Sequence, residues 1–392
     1  MVLHMYCMVS GGIPIFSRSS GSDTTPTFSE VAPLNGIQVF GKVHAVTFKS
    51  TQGKDFFVHW KNVTEKLSLI LISKQSVLND GEMILSSIFD AMVLTVGIDE
   101  LTNVKRADRL KKEIRPCYPI VDEILKNADE YYDNDDAINL LPMVEVMPCS
   151  HFNLLQEKLD EWSESISSLF CCLTVRGKIV VATPAWWDLS GIEKKLLSIV
   201  TSINSNTTTN DIPVFLPIKS PKVAFRLVTC CLINDIWISA LCGPAPSLMD
   251  FEQSVAVCWS PVVDQLNEVK TTVPKVLPDC FSLQNGIIGV MLVNPMVGKY
   301  LLLGSISENK IHLDILRIFY YQNVQELLKD NEKSSHIARE TYWYSENYKL
   351  YAVLNENDVL CLLTSSVVPT PTVRLLAKDI LNDVINDKIF LW

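Results

Sequence analysis

The stretch VLHMYCMVSGGIPIFSRS, residues 2–19, carries the pattern that decides the fold. Its first half, Val2–Ser10, is an apolar run with the composition of a strand, and Gly11 and Gly12 then supply a tight turn. Ile13–Ser19 returns as a second strand. Because strands joined by so short a turn pair in opposite directions, this stretch predicts an antiparallel β-hairpin.

Outward from the hairpin, the sequence predicts a helix, three strands and further helices. The helix covers Phe28–Lys42 and is expected to be interrupted near Pro33. Because Leu67–Ser73 is an almost continuous apolar run, we expect a sheet that helices cover on both faces. Three short runs separated by turn residues predict a meander at Val43–Lys49, Asp55–Lys61 and Leu67–Ser73.

The same order of elements occurs twice more, with hairpins at Leu169–Thr183 and Ile287–Ser305. The predicted fold class is therefore α/β (α+β), with three tandem modules that each have a five-stranded, mostly antiparallel sheet flanked by helices. The predicted modules are 1–128, 150–270 and 281–392, with an acidic linker at 129–149 and a proline-containing linker at 271–280.

Composition is typical of a folded, acidic protein. The 392 residues are 48% hydrophobic and 20% charged, and the formal net charge is −10. An acidic chain is a poor partner for nucleic acid, so we expect none. The eleven cysteines include no Cys-x-x-Cys spacing, which favours reduced, buried thiols in the cytosol over a zinc site.

No combination of residues predicts covalent catalysis, a metal site or a cofactor. Gly36–Lys42 matches the spacing G-x-x-x-x-G-K. A phosphate-binding loop would also need Ser or Thr at the next position, where the chain has Val43, and it would have to follow a strand. We therefore expect no nucleotide at this segment and no enzymatic chemistry in the chain.

One segment has a high density of positive charge. Asp99 is predicted to cap a helix whose apolar stripe contains Leu101, Val104, Leu110 and Ile114. The segment is either a solvated helix face or a contact for an acidic protein surface or for anionic lipid headgroups. The candidate contact residues beside the stripe are Lys105, Arg106, Arg109 and Lys112.

The adjacent pair Trp186 and Trp187 is a second unusual feature. We expect one of them in the core and take Trp187 as a candidate anchor for a protein interface, because buried tryptophans often dominate binding energy.

The order of strands and helices in each module resembles that of a longin domain, and three in tandem resemble the chains of Rab guanine-nucleotide exchange-factor pairs. The residues themselves are similar to the Fuzzy family of planar-cell-polarity effectors. The similarity covers most of the chain and is carried by Ser10–Ser20, Leu34–Gly41, Ala91–Val104, Arg109–Lys112, Trp186–Trp187, Pro213–Pro217 and Leu241–Pro246.

The resemblance implies partners and a location. Proteins of that family pair with Inturned, another longin-type protein, and with the WD-repeat protein Fritz, in a ciliogenesis and planar polarity effector complex that engages Rab-type small GTPases. A subunit of an exchange factor and an effector scaffold both remain open. A weaker alternative is a vesicle-trafficking adaptor that binds anionic lipid without regulating a GTPase. The implied location is the cytoplasm, the cytoskeleton and the basal body of the cilium.

Overall fold

The computed structural model describes residues 3–9, 11–21, 27–54, 56–74, 81–128, 140–271, 286–303, 310–324 and 340–386. They form two compact units. The first contains the described residues up to 128 together with Pro213–Phe225, and the second contains those from 140 to 212 and from 226 onward. The ten described cysteines carry no disulfide bond.

An antiparallel sheet of five strands forms the centre of the first unit. The strands are β1 (Leu3–Val9), β2 (Pro14–Ser20), β3 (Ser50–Gln52), β4 (Phe57–Asn62) and β5 (Leu67–Ser73), in the order β2-β1-β5-β4-β3. Successive residues of β1 are buried, so both faces of the sheet are covered, as the continuous apolar runs predict. The helices are α1 (Phe28–Val43), α2 (Gly81–Val96), α3 (Ile98–Thr102), α4 (Ala107–Glu113) and α5 (Tyr118–Ala128).

Two local predictions in this unit are wrong. The helix α1 continues through Pro33, because an exposed proline in the second turn removes only one backbone hydrogen bond from a helix of 16 residues. The run Val43–Lys49 is not a strand, since α1 ends there and β3 begins only at Ser50. Phe48 of that run packs against the core instead, with its ring centre 6.4 Å from that of Trp60.

The second unit contains the other two modules. The strands are β6 (Val144–Val146), β7 (Phe170–Val175), β8 (Lys178–Ala182), β9 (Thr209–Leu216), β10 (Ser220–Ile233), β11 (Ile236–Cys242), β12 (Ile287–Asn294), β13 (Lys299–Leu303), β14 (Glu340–Tyr344), β15 (Tyr348–Asn355) and β16 (Asp358–Ser365). The helices are α6 (Phe152–Ser165), α7 (Pro184–Trp187), α8 (Gly191–Ile203), α9 (Leu248–Trp259), α10 (Val263–Thr271), α11 (Lys310–Phe319) and α12 (Thr370–Asn386).

The strand order shows the internal repeat directly. One sheet has the order β14-β15-β16-β12-β13-β6-β8-β7-β11-β10-β9. Each half repeats the order of the first sheet: second, first, fifth, fourth and third strand of its module. This confirms the predicted fold class of three α/β modules, each with a five-stranded antiparallel sheet. The residue boundaries proposed for the modules stay predictions.

The segment before the second module differs from the predicted acidic linker. Residues 129–139 lie outside the described ranges, but Val144–Val146 form β6, which joins the sheets of the second and third modules. It runs parallel to both neighbours, with Tyr300 opposite Glu145 on one side and Ile179 opposite Val146 on the other. The physical reason is that the segment from residue 140 to 147 is apolar apart from Glu145, so it is stabilised by burial.

Glu145 ties the two modules together at this strand. Its Oε1 accepts a hydrogen bond from Lys178 Nζ of β8 at 2.8 Å, and the two side chains are only 6% and 12% exposed. On the other side, the Tyr300 hydroxyl of β13 donates to Glu145 Oε2 at 3.5 Å. A buried pair of this kind specifies which strands meet, because removing one charge leaves the other desolvated.

Close backbone packing completes the same joint. Gly298 has a φ of +71°, and a Cβ on it would collide with the backbone of Gly191, at the start of α8. A Cβ on Gly191 would in turn lie 2.9 Å from the carbonyl oxygen of Pro142. Glycine is therefore required at both positions, for contact at each and for conformation at Gly298.

Candidate functional site

The positively charged segment of the first unit is a pair of short helices. The prediction of one helix from Asp99 onward is wrong, because α3 ends at Thr102 and α4 begins at Ala107. Asn103 ends α3, with its N–H donated to the Asp99 carbonyl, and asparagine competes well with helical bonding at such positions. Gly97, not Asp99, precedes the first turn of α3.

The burial of this segment follows the predicted stripe despite the break. Leu101, Leu110 and Ile114 are buried and Val104 is half-buried. The break therefore redirects the chain but keeps the apolar side chains on the protein side. The predicted contact residues Lys105, Arg106, Arg109 and Lys112 are all exposed.

Three of these cations meet at one cavity of about 380 Å³. Lys105 and Arg106 come from the loop between α3 and α4, and Arg109 from the first turn of α4. Lys112 does not line it. The remaining lining residues are Asp99, Glu100, Asn103, Val104 and Leu110.

The charges in this cavity are unequally compensated. Arg109 Nε donates to Glu113 Oε1 at 2.7 Å, and Arg109 Nη2 lies 3.6 Å from Glu100 Oε1. The hydrogen bond and charge of Glu113, with the charge of Glu100, raise the pKa of Arg109. Among the described residues, Lys105 and Arg106 form no ion pair. These two cations are therefore the ones that can bind an acidic side chain or a phosphate group.

A second surface of the first unit is the outward face of α1, which is apolar where helices are usually polar. Asn35 and Gln38 face the core, and Gln38 Nε2 donates to Asn62 Oδ1 at 2.8 Å. Ile37, Phe40 and Val43 lie on the surface, with Phe40 64% and Val43 77% exposed. Sequence reasoning missed this face, although the spacing of three residues was a signal for it. Exposed apolar helix faces mark protein contacts.

The outer edge of β2 is a third surface of the first unit. β1 occupies one side of β2, and no described strand pairs with the other side. The strand is held rigidly, because the Arg18 guanidinium binds both carboxylate oxygens of Asp122 in α5, with Arg18 Nε at 2.6 Å from Oδ1. Ser17 and Ser19 are exposed along it. An unpaired edge of this kind can accept a strand from another chain.

Trp187 belongs to the second unit and lies at the joint between its two modules. It is half-buried, and the ammonium groups of Lys194 and Lys299 each lie 5.4 Å from its ring centre. Lys194 Nζ also donates to the carbonyls of Trp187, Leu189 and Val297. Burial lowers the pKa of both lysines to about 8, with the charge of Lys299 contributing to the shift of Lys194. Both ammonium groups thus lie within cation–π distance of the indole ring.

Residues with catalytic or cofactor chemistry do not come together in the described ranges. Gly36–Lys42 lies within α1, so its backbone N–H groups are used by the helix and form no phosphate-binding loop. No group of three His, Cys, Asp or Glu side chains there could hold a metal ion. Across the same described residues, none of the helices is both long and apolar enough to cross a membrane.

Comparison with known proteins divides the chain into the same three modules. Residues 3–124, 166–260 and 286–388 match, in this order, the first, second and third longin domains of FUZ, MON1 and HPS1. The protein fuzzy homolog of Xenopus tropicalis is 31% identical over 399 residues, which cover 94% of this chain and 94% of that protein. The protein fuzzy homolog of Homo sapiens is 33% identical over 300 residues, covering 74% and 70%.

Proposed function

Because this chain belongs to the Fuzzy family of proteins with three longin domains, we propose that it is a planar cell polarity effector and ciliogenesis scaffold that works by binding other proteins. It pairs with an Inturned-like longin protein, and the pair binds and regulates a Rab-type small GTPase. A Fritz-type WD-repeat protein completes the assembly at the basal body. Its contribution to nucleotide exchange, if the pair has that activity, is non-covalent, because an exchange factor needs only to prefer the nucleotide-free GTPase.

The observation that carries this proposal is the open edge of β2. In the second unit, the corresponding second strands, β8 and β13, have their outer edges covered by β6. In the first unit, no described strand covers the edge of β2. Its backbone donors and acceptors can be satisfied by a strand from another longin-type chain, which supports pairing there. The exposed apolar face of α1 in the same unit supplies further surface for a partner to bury.

Negative charge introduced on β2 by mutation tests whether this edge pairs with the Inturned-like chain. Ser17→Asp with Ser19→Asp should prevent association with the Inturned-like chain, because charged residues on an edge strand oppose strand addition. Both serines are exposed, so the fold should be kept. The matched control is Ser50→Asp with Gln52→Asp on β3, the opposite edge of the same sheet. Co-expression and size-exclusion chromatography measure the result, and equal yields of complex from both double variants would contradict the proposal.

The cavity with Lys105 and Arg106 is the proposed contact for the acidic partner surface. Its two unpaired cations stand in the part of the chain where the sequence carries no net acidity: residues 1–128 hold 14 Lys/Arg and 13 Asp/Glu. A nucleotide-release assay on the purified pair separates the two possible roles. An exchange factor accelerates release of bound GDP, whereas an effector scaffold binds the GTP form and leaves the release rate unchanged.

The same two cations support a second candidate function, a vesicle-trafficking adaptor that binds anionic lipid without regulating a GTPase. Flotation with liposomes that contain phosphatidylserine, compared with neutral liposomes, tests it. Binding to anionic liposomes together with no affinity for any Rab-type GTPase in either nucleotide state would favour the adaptor over the GTPase regulator.

A further inference from the structure

The third strand of each module lies at a sheet edge, and the three edges are protected very differently. β3 is only three residues long, exposed and polar. β9 carries Asp211 and Pro213, and both a charge and a proline discourage strand addition. β14, at the end of the eleven-stranded sheet, contains neither proline nor lysine and has the sequence Glu-Thr-Tyr-Trp-Tyr.

The last three residues of β14 are consecutive exposed aromatics. Tyr342 is 41%, Trp343 is 40% and Tyr344 is 74% exposed. Tyrosine and tryptophan are the residues that contribute most binding energy in protein interfaces. Natural proteins protect the edge strands that they leave in water. The one charged residue of β14, Glu340, lies at its first position and is paired with Arg374, so the aromatic remainder of the strand is typical of an edge that another chain covers.

The edge is rigid and ready for a partner. The outer strand pairs with β15 along its full length, from Glu340 opposite Val353 to Tyr344 opposite Lys349. Trp343 stacks on the buried Phe319 ring at 6.3 Å, and the guanidinium of Arg374 lies 5.5 Å from the Tyr342 ring. Such support lowers the entropy that must be lost when a partner binds.

Charge selects the kind of partner. Arg374 is paired with Glu340, so it is not available to an incoming chain, and Glu346 is exposed beside the strand. The surface therefore offers aromatic faces and a carboxylate, which favour cations. A second copy fits poorly, because its own β14 offers no arginine or lysine to the aromatic side chains and each copy carries a net charge of −10.

We propose that β14 is a docking edge for an extended segment of a partner protein, which adds one strand to the sheet, places arginine or lysine side chains against Tyr342 and Tyr344 on one face, and places an apolar side chain against Trp343 on the other. Main-chain hydrogen bonds to β14 supply affinity. The aromatic side chains supply selectivity for basic, alternating sequences. This surface belongs to the third module and is independent of the β2 edge and of the cavity in the first unit.

A displayed library of random ten-residue peptides, selected on the full-length protein, tests the proposal. Selection on the wild type is combined with removal of peptides that also bind Tyr344→Lys, which puts a positive charge on the most exposed aromatic of the edge. The matched control is Met296→Lys, a residue that is 79% exposed in the turn between β12 and β13.

We expect recovered peptides to alternate apolar residues with arginine or lysine, to bind Tyr344→Lys at least about tenfold more weakly than wild type, and to bind Met296→Lys unchanged. Hydrogen exchange of the β14 amides should slow when such a peptide is bound. Acidic peptides, equal affinity for peptides interrupted by proline, or no peptide sensitive to Tyr344→Lys would overturn the proposal. Dimerisation of the wild type that Tyr344→Lys abolishes would also overturn it, in favour of a second copy.

Discussion

Replacing Glu145 by alanine should lower the free energy of unfolding of the second unit by about 3–5 kcal/mol, because Lys178 would stay buried without that carboxylate. The burial of the pair sets this magnitude, since the side chains are 6% and 12% exposed and the nitrogen–oxygen distance is 2.8 Å. For a urea m-value of about 2–3 kcal/mol per molar, the unfolding midpoint should fall by about 1–2.5 M. Tryptophan fluorescence during urea titration measures the change.

Two further variants make this prediction refutable. Glu161→Ala removes an ion pair with Lys158 at a similar distance, 2.6 Å, but at side-chain exposures of 63% and 32%, so it should cost only about 0–1 kcal/mol. Adding Lys178→Met to Glu145→Ala removes the uncompensated charge and should restore most of the lost stability. If Glu145→Ala costs no more than Glu161→Ala, or if the second substitution restores nothing, the buried pair does not stabilise the joint.

Three other predictions follow from the structure. Gly298→Ala should lower the melting temperature by several degrees, because the residue has a positive φ and its Cβ would collide with the neighbouring backbone; an unchanged melting temperature would contradict the close packing at the joint. Stability should fall as the pH rises above about 9, which melting at pH 7.5 and 9.5 would measure. Burial raises the pKa of thiols such as Cys7 and Cys361, so the unfolded chain loses these protons first. Within the described ranges, seven buried thiols outnumber the two lysines whose lowered pKa acts in the opposite sense. Replacing Lys105 and Arg106 by Glu should leave the fold intact and weaken binding to an acidic GTPase, most strongly at low salt. The same replacement at Lys112, which lies outside the cavity, should weaken binding less. Equal losses of affinity in surface plasmon resonance would argue against the cavity as the contact.

The order of strands and helices along the chain could be predicted from the sequence because most strands are local apolar runs bounded by turn residues. The hairpin at Gly11 and Gly12 and the run Leu67–Ser73 each needed only nearby residues to be recognised. β6 could not be predicted in the same way. A run of three residues is too short for a pattern, and β6 is stabilised by pairing with strands of the two later modules.

The functional surfaces were only partly accessible to the same reasoning. Lys105, Arg106 and Arg109 were identified by charge density, and the structure places them at one cavity. The break between the two helices at Asn103 brings these residues together. It depends on a single helix-ending residue, which the spacing of apolar residues does not reveal. The face of α1 was missed because apolar spacing gives the direction of a stripe around the helix but does not say whether the stripe faces the sheet or a partner.

The strand β6 meets its two neighbours at very different times during synthesis. Val146 pairs with Ile179 of β8, a short distance later in the chain, whereas Glu145 and Tyr300 are separated by 155 positions. At about 5–20 residues per second, the ribosome needs roughly 8–30 s to produce that interval. Because the last strand of the second module ends at Cys242, only the later part of this interval leaves the nascent chain with a complete five-stranded sheet whose β6 edge still lacks β13, and chaperones at the ribosome can shield that edge during this time.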